Sequence, residues 1–565
     1  MRGPSQRYPH QNGHGAPRCL LARLAPAFAA FFVLTTALQW YKGAFHGEFG
    51  GHPDEASHVV TGLMVRDYIA ALAPEAPMRY AENYYLHYPK VALGHWPPLF
   101  YIVEAAWMLL FPPSRVSLLL LMGLFTATLA TMLYEVLRRE FSVPAGMAAA
   151  VLLISLPVVQ LYSRRVMMEI PLAVLFYIAV LVYGRYLDNP RWQDAAWFGL
   201  VASLACLTNG SGFLLALVPV FSVLLTWRFR LLGRLSFWLP ALIVLAATAP
   251  WYLFAPSALR QATGAPGKPY LLAPDFRSVL DIVPGILYCL GLGLVPFLIA
   301  GLYAHFAGRT GNRTGRKGKW VVGAALILAL GVFRAIAPEI RDSRHVTCLA
   351  APMLMFVVAG VSWLCAGRIL RRLHSRWRTA AVGLAVAAIA AGNVYQTPKV
   401  ARRGFAEVAR DITSAPRFQR LVCLVSSDSR GEGMMVVEMA LHEKRPGHIV
   451  LRGSKMLADS DWMGTSYRLR YPTPEAMMNY LHSVPVGVLV MEDTPGRKLP
   501  HHQLLEEALR RYPSQWELVG AYPPPQPGGP DDGRIRVYHL LGSEAGSPPK
   551  VRIDMRSRLG RFLEN

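Results

Sequence analysis

The chain has 565 residues, of which 53% are hydrophobic and only 16% charged, and its mean hydropathy is positive. That balance excludes an ordinary soluble globular protein and describes a chain that spends most of its length in lipid. The net charge of +23 would suggest a nucleic-acid partner on a soluble domain. In a polytopic membrane protein it follows instead from Lys and Arg gathering in cytoplasmic loops, so no nucleic acid is expected.

The 6 cysteines are scattered and form no CxxC pair, which supports neither a disulfide framework nor a zinc ribbon. Residues 1–19 read as a basic cytoplasmic tail, and the apolar run after them as an uncleaved signal anchor. Further runs of spanning length lie near 117–137, 144–162, 170–187, 194–208, 211–227, 236–254, 284–304, 320–338, 346–366 and 379–396. With the anchor near 20–39 they predict about eleven transmembrane helices. The segment "PPLFYIVEAAWMLLFPP" at 97–113 is short, bracketed by prolines and interrupted by Glu104.

The basic residues decide how that segment sits. If 97–113 is a juxtamembrane or re-entrant helix, the loops holding Arg138 and Arg139, Arg228 to Arg234, Arg309 to Lys319 and Arg368 to Arg378 all face the cytoplasm. The positive-inside rule expects that arrangement. The first loop, 40–116, then lies outside, as does everything after about 397. From 401 to 565 the pattern becomes soluble. "LVCLVSSD", "HIVLRGS", "VGVLVMED", "WELVGAY" and "IRVYHLL" read as strands alternating with helices, which predicts an extracytoplasmic α/β domain with a largely parallel sheet. "SRGEG" after the first of these strands is either a phosphate-cradling loop or a plain strand-to-helix turn, and it matches neither established phosphate-binding pattern.

Ionisable residues collect at the outer ends of the helices, where they are costly unless they line a cavity. "HPDEASHV" carries Asp54, Glu55 and His58, and "YYLHYPKVALGHWPPLFY" carries His87, Lys90, His95 and Tyr101. "YSRRVMMEIP" brings Arg164, Arg165 and Glu169, "LTNGSG" brings Asn209, and "PEIRDSRHV" brings Arg341, Arg344 and His345. The aromatic-rich loop 251–283 adds Tyr252, Lys268 and Tyr270. His52, Asp54, Glu55 and His58 also offer ligands for a divalent metal. Against that, Pro53 belongs at a helix start rather than inside one, and the spacing is not HExxH.

The order of these elements resembles the GT-C membrane glycosyltransferases, in the branch of bacterial protein O-mannosyltransferase-like and lipid A aminoarabinose transferase-like enzymes. The likeness covers about residues 15–400 and is strongest over 50–104 and 163–172. The chain departs from that pattern at Asn209, where the family more often has lysine, and at "IRDSRH", where an Arg-Tyr pair is usual.

The resemblance implies a GT-C-like domain over 20–400 in a bacterial inner membrane. It also implies transfer of a sugar from a polyprenyl-phosphate carrier to an outer glycan, lipid or protein acceptor. Such a reaction needs a base for the acceptor hydroxyl and cations for the departing phosphate. Asp54 is expected as the base by analogy with the family, with Glu55 or Glu169 orienting it or the acceptor. Arg164, Arg165, Arg341, Arg344 and Lys90 are expected at the phosphate, and His58, His95, Tyr101, Asn209 and His345 along the cavity. A transporter or lipid flippase is the competing class, but no internal repeat of the kind common in transporters is found in the sequence.

Overall fold

The fold is described from a computed structural model. It covers residues 17–254, 279–306, 317–336, 343–366, 375–399, 402–419, 421–459, 467–493, 499–523, 534–543, 551–555 and 561–564. The expected residues Arg341, Lys268 and Tyr270, most of the third basic loop and part of the fourth lie outside the described residues.

The membrane part is a helical bundle in which every expected apolar run is mainly helical over its described residues. Among the described residues, 7 helices are long and apolar enough to cross a bilayer. Two further helix pairs are apolar and long enough only when taken together across a bend: Val143–Ser155 with Pro157–Ser163 at 63°, and Ile282–Leu290 with Val295–Phe306 at 110°. Pro157 removes a backbone donor at the first break, and Gly291 takes φ 73° at the second. The remaining two runs are shorter, as Trp192–Thr208 and as Gly210–Ala216 running into Leu217–Thr226. The ambiguous 97–113 segment forms helix α4, Leu99–Leu110. At 1.5 Å per residue α4 is about 18 Å long, well short of a hydrocarbon core of about 30 Å.

The two ends of the bundle differ in chemistry. At one end Arg138 and Arg139 pair with Glu135, while Lys317 and Lys319 hold Glu140 at 2.7 and 2.6 Å. Nearby, the side chain of Asp188 accepts from the amide of Gly318. At the opposite end the first loop folds into helices α2 (Glu55–Ala70) and α3 (Pro77–His87), followed by α4. Helix α5, Arg115–Glu140, then returns through the bundle.

The C-terminal part is an α/β unit. The strands of its main sheet are β1 (Val422–Ser426), β2 (Val450–Arg452), β3 (Val486–Asp493), β4 (Trp516–Tyr522) and β5 (Arg534–Leu540). They lie in the order β2-β1-β3-β5-β4. β2, β1 and β3 are parallel, whereas β5 pairs antiparallel with both β3 and β4. The sheet is therefore mixed rather than largely parallel, because the link from β4 to β5 is too short for a parallel crossover.

This unit does not hang apart from the membrane domain. One hydrophobic core holds Phe49, Val59, Tyr84 and Tyr88 from the first loop together with Val422, Met434, Met435 and Leu489 from the sheet unit. Glu48 accepts from the amides of Gly404, Phe405 and Ala406, capping the helix that opens the C-terminal domain. Arg445 grips Asp67 with two donors at 2.6 and 3.2 Å, and the hydroxyl of Tyr88 donates to Glu443 at 2.7 Å.

Candidate active site

Pro53 fixes the turn before α2, so the helix begins at Glu55 with Asp54 in the cap position. The Asp54 side chain makes no cap bond. It turns instead to Arg344, which donates from Nη1 to Oδ2 at 3.0 Å. Arg344 stands near the start of a short 3-10 helix, Ser343–Leu349, and its Nε lies 3.8 Å from Oε1 of Glu169. Glu169 opens the helix Glu169–Asp188, where the exposed backbone donors of a helix N-terminus favour a carboxylate. Three segments far apart in sequence thus meet as a carboxylate–guanidinium–carboxylate group. All three side chains retain some exposure, at 15%, 17% and 11%.

Burial alone would raise the pKa of Asp54. His52 and Arg344, the latter also through its hydrogen bond, outweigh it and hold the carboxyl below its usual value, so the group is ionised at neutral pH. His58 is the reverse case. It is buried, with Nδ1 3.0 Å from the hydroxyl of Tyr101. Burial pushes its pKa down to about 3, and the attraction of Asp54 does not overcome that, so the ring is neutral. His58 also packs on Trp96 at 4.6 Å, and His95 meets the same indole edge-on at 4.2 Å. The expected cavity residues His58, His95 and Tyr101 therefore form one aromatic wall next to Asp54.

Glu55, the neighbour of Asp54, points elsewhere. It is fully buried and accepts from the Gly51 amide at 2.8 Å, the Val166 amide at 3.1 Å and Arg115 at 3.2 Å. Arg115 in turn donates to the carbonyls of Ala44 and Arg164. Glu55 thereby locks the Asp54 turn onto α5 and onto the Arg164–Val166 segment. His52, Glu55 and His58 do not converge, and among the described residues no group of three His, Cys, Asp or Glu is arranged to hold a metal ion.

Arg164 is buried, donating to the carbonyls of Gln160 at 2.7 Å and Pro398 at 3.0 Å. Its Nη2 has no hydrogen-bond partner among the described residues. Lys42 and Lys399 carry charge nearby, both stacked on Tyr41. Arg165 lies over the Tyr162 ring and against Gly51, where an added Cβ would come within 2.9 Å of its Nε. Lys90 is buried at the junction with the C-terminal domain rather than beside Arg344. Asn209 caps the 3-10 turn after it, its carbonyl accepting from the Ser211 amide and hydroxyl, and its amide reaches the sulfur of Met168 beside Glu169. The carbonyl of His345 accepts from the Cys348 thiol at 3.1 Å. Tyr252 is buried and donates to the Cys206 carbonyl.

Arg115 and Glu48 were not singled out by the sequence. Arg115 carried a usable signal: like Arg164 and Arg165, it is a cation on the side the positive-inside rule disfavours. Glu48 carried none, since its partners are backbone amides more than 350 positions away.

Residues 95–254 match the family model described as dolichyl-phosphate-mannose-protein mannosyltransferase. No curated protein matches in sequence. Among solved structures the chain is similar to ArnT from Cupriavidus metallidurans in the apo state, with a TM-score of 0.57 at 15% identity over 93% of this chain and 100% of that one. It is also similar to the same protein bound to undecaprenyl phosphate, with a TM-score of 0.55 at 13% identity over 94% and 100%. A third likeness is to the archaeal oligosaccharyltransferase AglB from Archaeoglobus fulgidus, in complex with an inhibitory peptide and a dolichol-phosphate. It has a TM-score of 0.50 at 12% identity, over 90% of this chain and 76% of that one. The resemblance in motif order thus extends to three dimensions: the chain carries the fold of the GT-C membrane glycosyltransferases.

Proposed function

We propose that this protein is an integral-membrane glycosyltransferase that moves a sugar from a polyprenyl-phosphate carrier to an acceptor outside the cytoplasm. The observation that carries this reading is the Asp54–Arg344–Glu169 group, at the end of the bundle opposite the basic turns. The fold supports it, as does the lipid phosphate held by two of the similar proteins.

In the proposed reaction the acceptor hydroxyl gives its proton to the Asp54 carboxylate while its oxygen attacks the anomeric carbon. The bond from that carbon to the phosphate oxygen breaks, its electron pair leaves with the polyprenyl phosphate, and the anomeric centre inverts. Arg344 has a fork of donors that matches phosphate oxygens. An arriving phosphate would draw it away from Asp54, and the carboxylate would gain basicity as that ion pair loosens. Arg165 against Gly51 and Arg164 with its spare donor are the other candidates for phosphate contact, and Glu169 would hold Arg344 or the acceptor.

In this reading the membrane is a bacterial inner membrane and the C-terminal domain is extracytoplasmic, on the same side as the first loop with which it shares a core. The test is incubation of the purified protein with a panel of polyprenyl-phosphate sugars, followed by mass spectrometry. Loss of the sugar from at least one donor is expected. An absence of hydrolysis and transfer across the panel, with the protein folded, would overturn the proposal.

A further inference from the structure

Lys90 and the "SRGEG" turn have no part in the chemistry above, yet they meet. Lys90 lies between α3 and α4, and its ammonium donates to two backbone carbonyls, Pro53 at 3.1 Å and Ser429 at 3.4 Å. Pro53 is the residue before Asp54. Ser429 begins the helix Ser429–His442, at the carboxyl end of β1. One side chain therefore spans from the turn that bears Asp54 to the C-terminal domain.

Glycines bring the two sides this close. A Cβ on Gly433 would stand 2.9 Å from Cβ of Ala56 and 3.1 Å from Cε of Lys90, and one on Gly50 would run into the side chain of Met434. The contact also falls at a telling place in the sheet. β2 and β3 flank β1 on opposite sides, so the strand order reverses there, and α/β sheets take their ligands at the carboxyl ends of strands at such a point. Here the loop of the membrane domain fills it.

A lysine that merely covered an apolar interface would keep its ammonium in water. Lys90 is 8% exposed. The charged groups facing it are Arg452, Glu432, Asp54 and Lys455. Glu432 is bonded to Arg452 and Ser454, and Asp54 to Arg344. Burial, reinforced by Arg452, lowers the Lys90 pKa to about 7. An ammonium buried against carbonyls alone costs stability that an apolar side chain of the same size would not.

We infer that the C-terminal α/β domain is a positioning element of the transfer site, with Lys90, held between Ser429 and Pro53, fixing the turn that presents Asp54. Lys90 is a positioning residue, and the glycines of "SRGEG" serve docking. The inference rests on Asp54 being the base.

The experiment uses the full-length protein in detergent as wild type, Lys90→Met, Lys90→Arg and Gly433→Val. It reads amide hydrogen exchange over residues 50–58, kcat and donor KM for transfer, and binding of undecaprenyl phosphate alone. In Lys90→Met, exchange over 50–58 should quicken by about tenfold or more. A misplaced base should lower kcat by roughly 10–100-fold, with donor KM and undecaprenyl phosphate binding within about twofold. Lys90→Arg should recover part of both effects, and Gly433→Val should reproduce them from the other side of the contact. Unchanged exchange in both Lys90→Met and Gly433→Val would overturn the inference, and so would a loss confined to undecaprenyl phosphate binding. If the wild type transfers no sugar, the glycosyltransferase reading fails while the exchange arm still decides the coupling.

Discussion

Asp54 and Glu55 are adjacent carboxylates, and the structure predicts opposite consequences for removing each charge. Glu55→Gln keeps the shape but puts an amide nitrogen where one of three donors points: the Gly51 amide, the Val166 amide or Arg115. Arg115, 7% exposed, also loses its counter-ion. Breaking one side of a buried ion pair typically costs about 3–5 kcal/mol. With an unfolding entropy of about 2.1 cal/mol/K per residue, that lowers the apparent melting temperature of a chain of this size by about 2–4 °C. Asp54→Asn is different, because the Arg344 it leaves behind still has Glu169 at 3.8 Å and partial exposure to water. Its stability cost should stay within about 1 kcal/mol. Its catalytic cost should be large, since general-base help is worth roughly 10²–10⁴ in rate. The assay pairs thermal unfolding in detergent with sugar transfer on the same preparations. A Glu55→Gln protein that melts like the wild type yet transfers no sugar would refute the division of roles, as would an Asp54→Asn protein with full transfer.

Two further predictions concern pH. Because His52 and Arg344 hold Asp54 below the usual carboxylate range, its basic form persists above that lowered value. The transfer rate should therefore be flat on the acid side of neutrality and fall only below the ordinary carboxylate range. Arg344→Gln should move that limb to higher pH, and an unmoved limb in kcat against pH would exclude the pairing. Glu438 is pushed the other way: burial first, then the Glu48 carboxylate, raises its pKa above the usual range. An acid whose pKa is raised on folding loses stability as pH climbs from its unfolded-state value toward the raised one, and the whole penalty is present above it. Glu438→Gln should therefore lift the apparent melting temperature by a few degrees at about pH 9 and leave it unchanged at about pH 5. A lift of equal size at both pH values would assign the effect to packing instead.

The elements of this fold were legible because their signals are local. Apolar runs and basic turns marked the spans, and alternation marked the five strands of the main sheet and the three longer helices between them. The contacts at the site were not local, and they divided the candidates differently. Asp54 and Glu55 look alike in the sequence, but successive residues at a helix start point about 100° apart, so one faces Arg344 and the other the interior. Lys90 read as a phosphate contact because its loop carries other site residues, whereas its acceptors, Pro53 and Ser429, are carbonyls whose positions only the tertiary fold defines. The "SRGEG" turn has the composition of a ligand loop, and what its helix approaches is the protein's own α2.

That approach bears on how the two parts depend on each other. Glu48, Asp67 and Tyr88, all in the first loop, reach the C-terminal domain through charge-assisted bonds that are largely withdrawn from water. Around them Phe49, Val59 and Met434 share one apolar core with the sheet. Removing the domain would leave a carboxylate, a phenol and that apolar face without partners, at a cost of about 1–3 kcal/mol for each orphaned polar group. The loop that carries Asp54 is therefore completed by the C-terminal domain. A protein truncated near residue 400 should insert into the membrane yet show rapid exchange over residues 50–58. Protection retained there after truncation would mean that Glu55 and Arg115 hold the turn without the C-terminal domain.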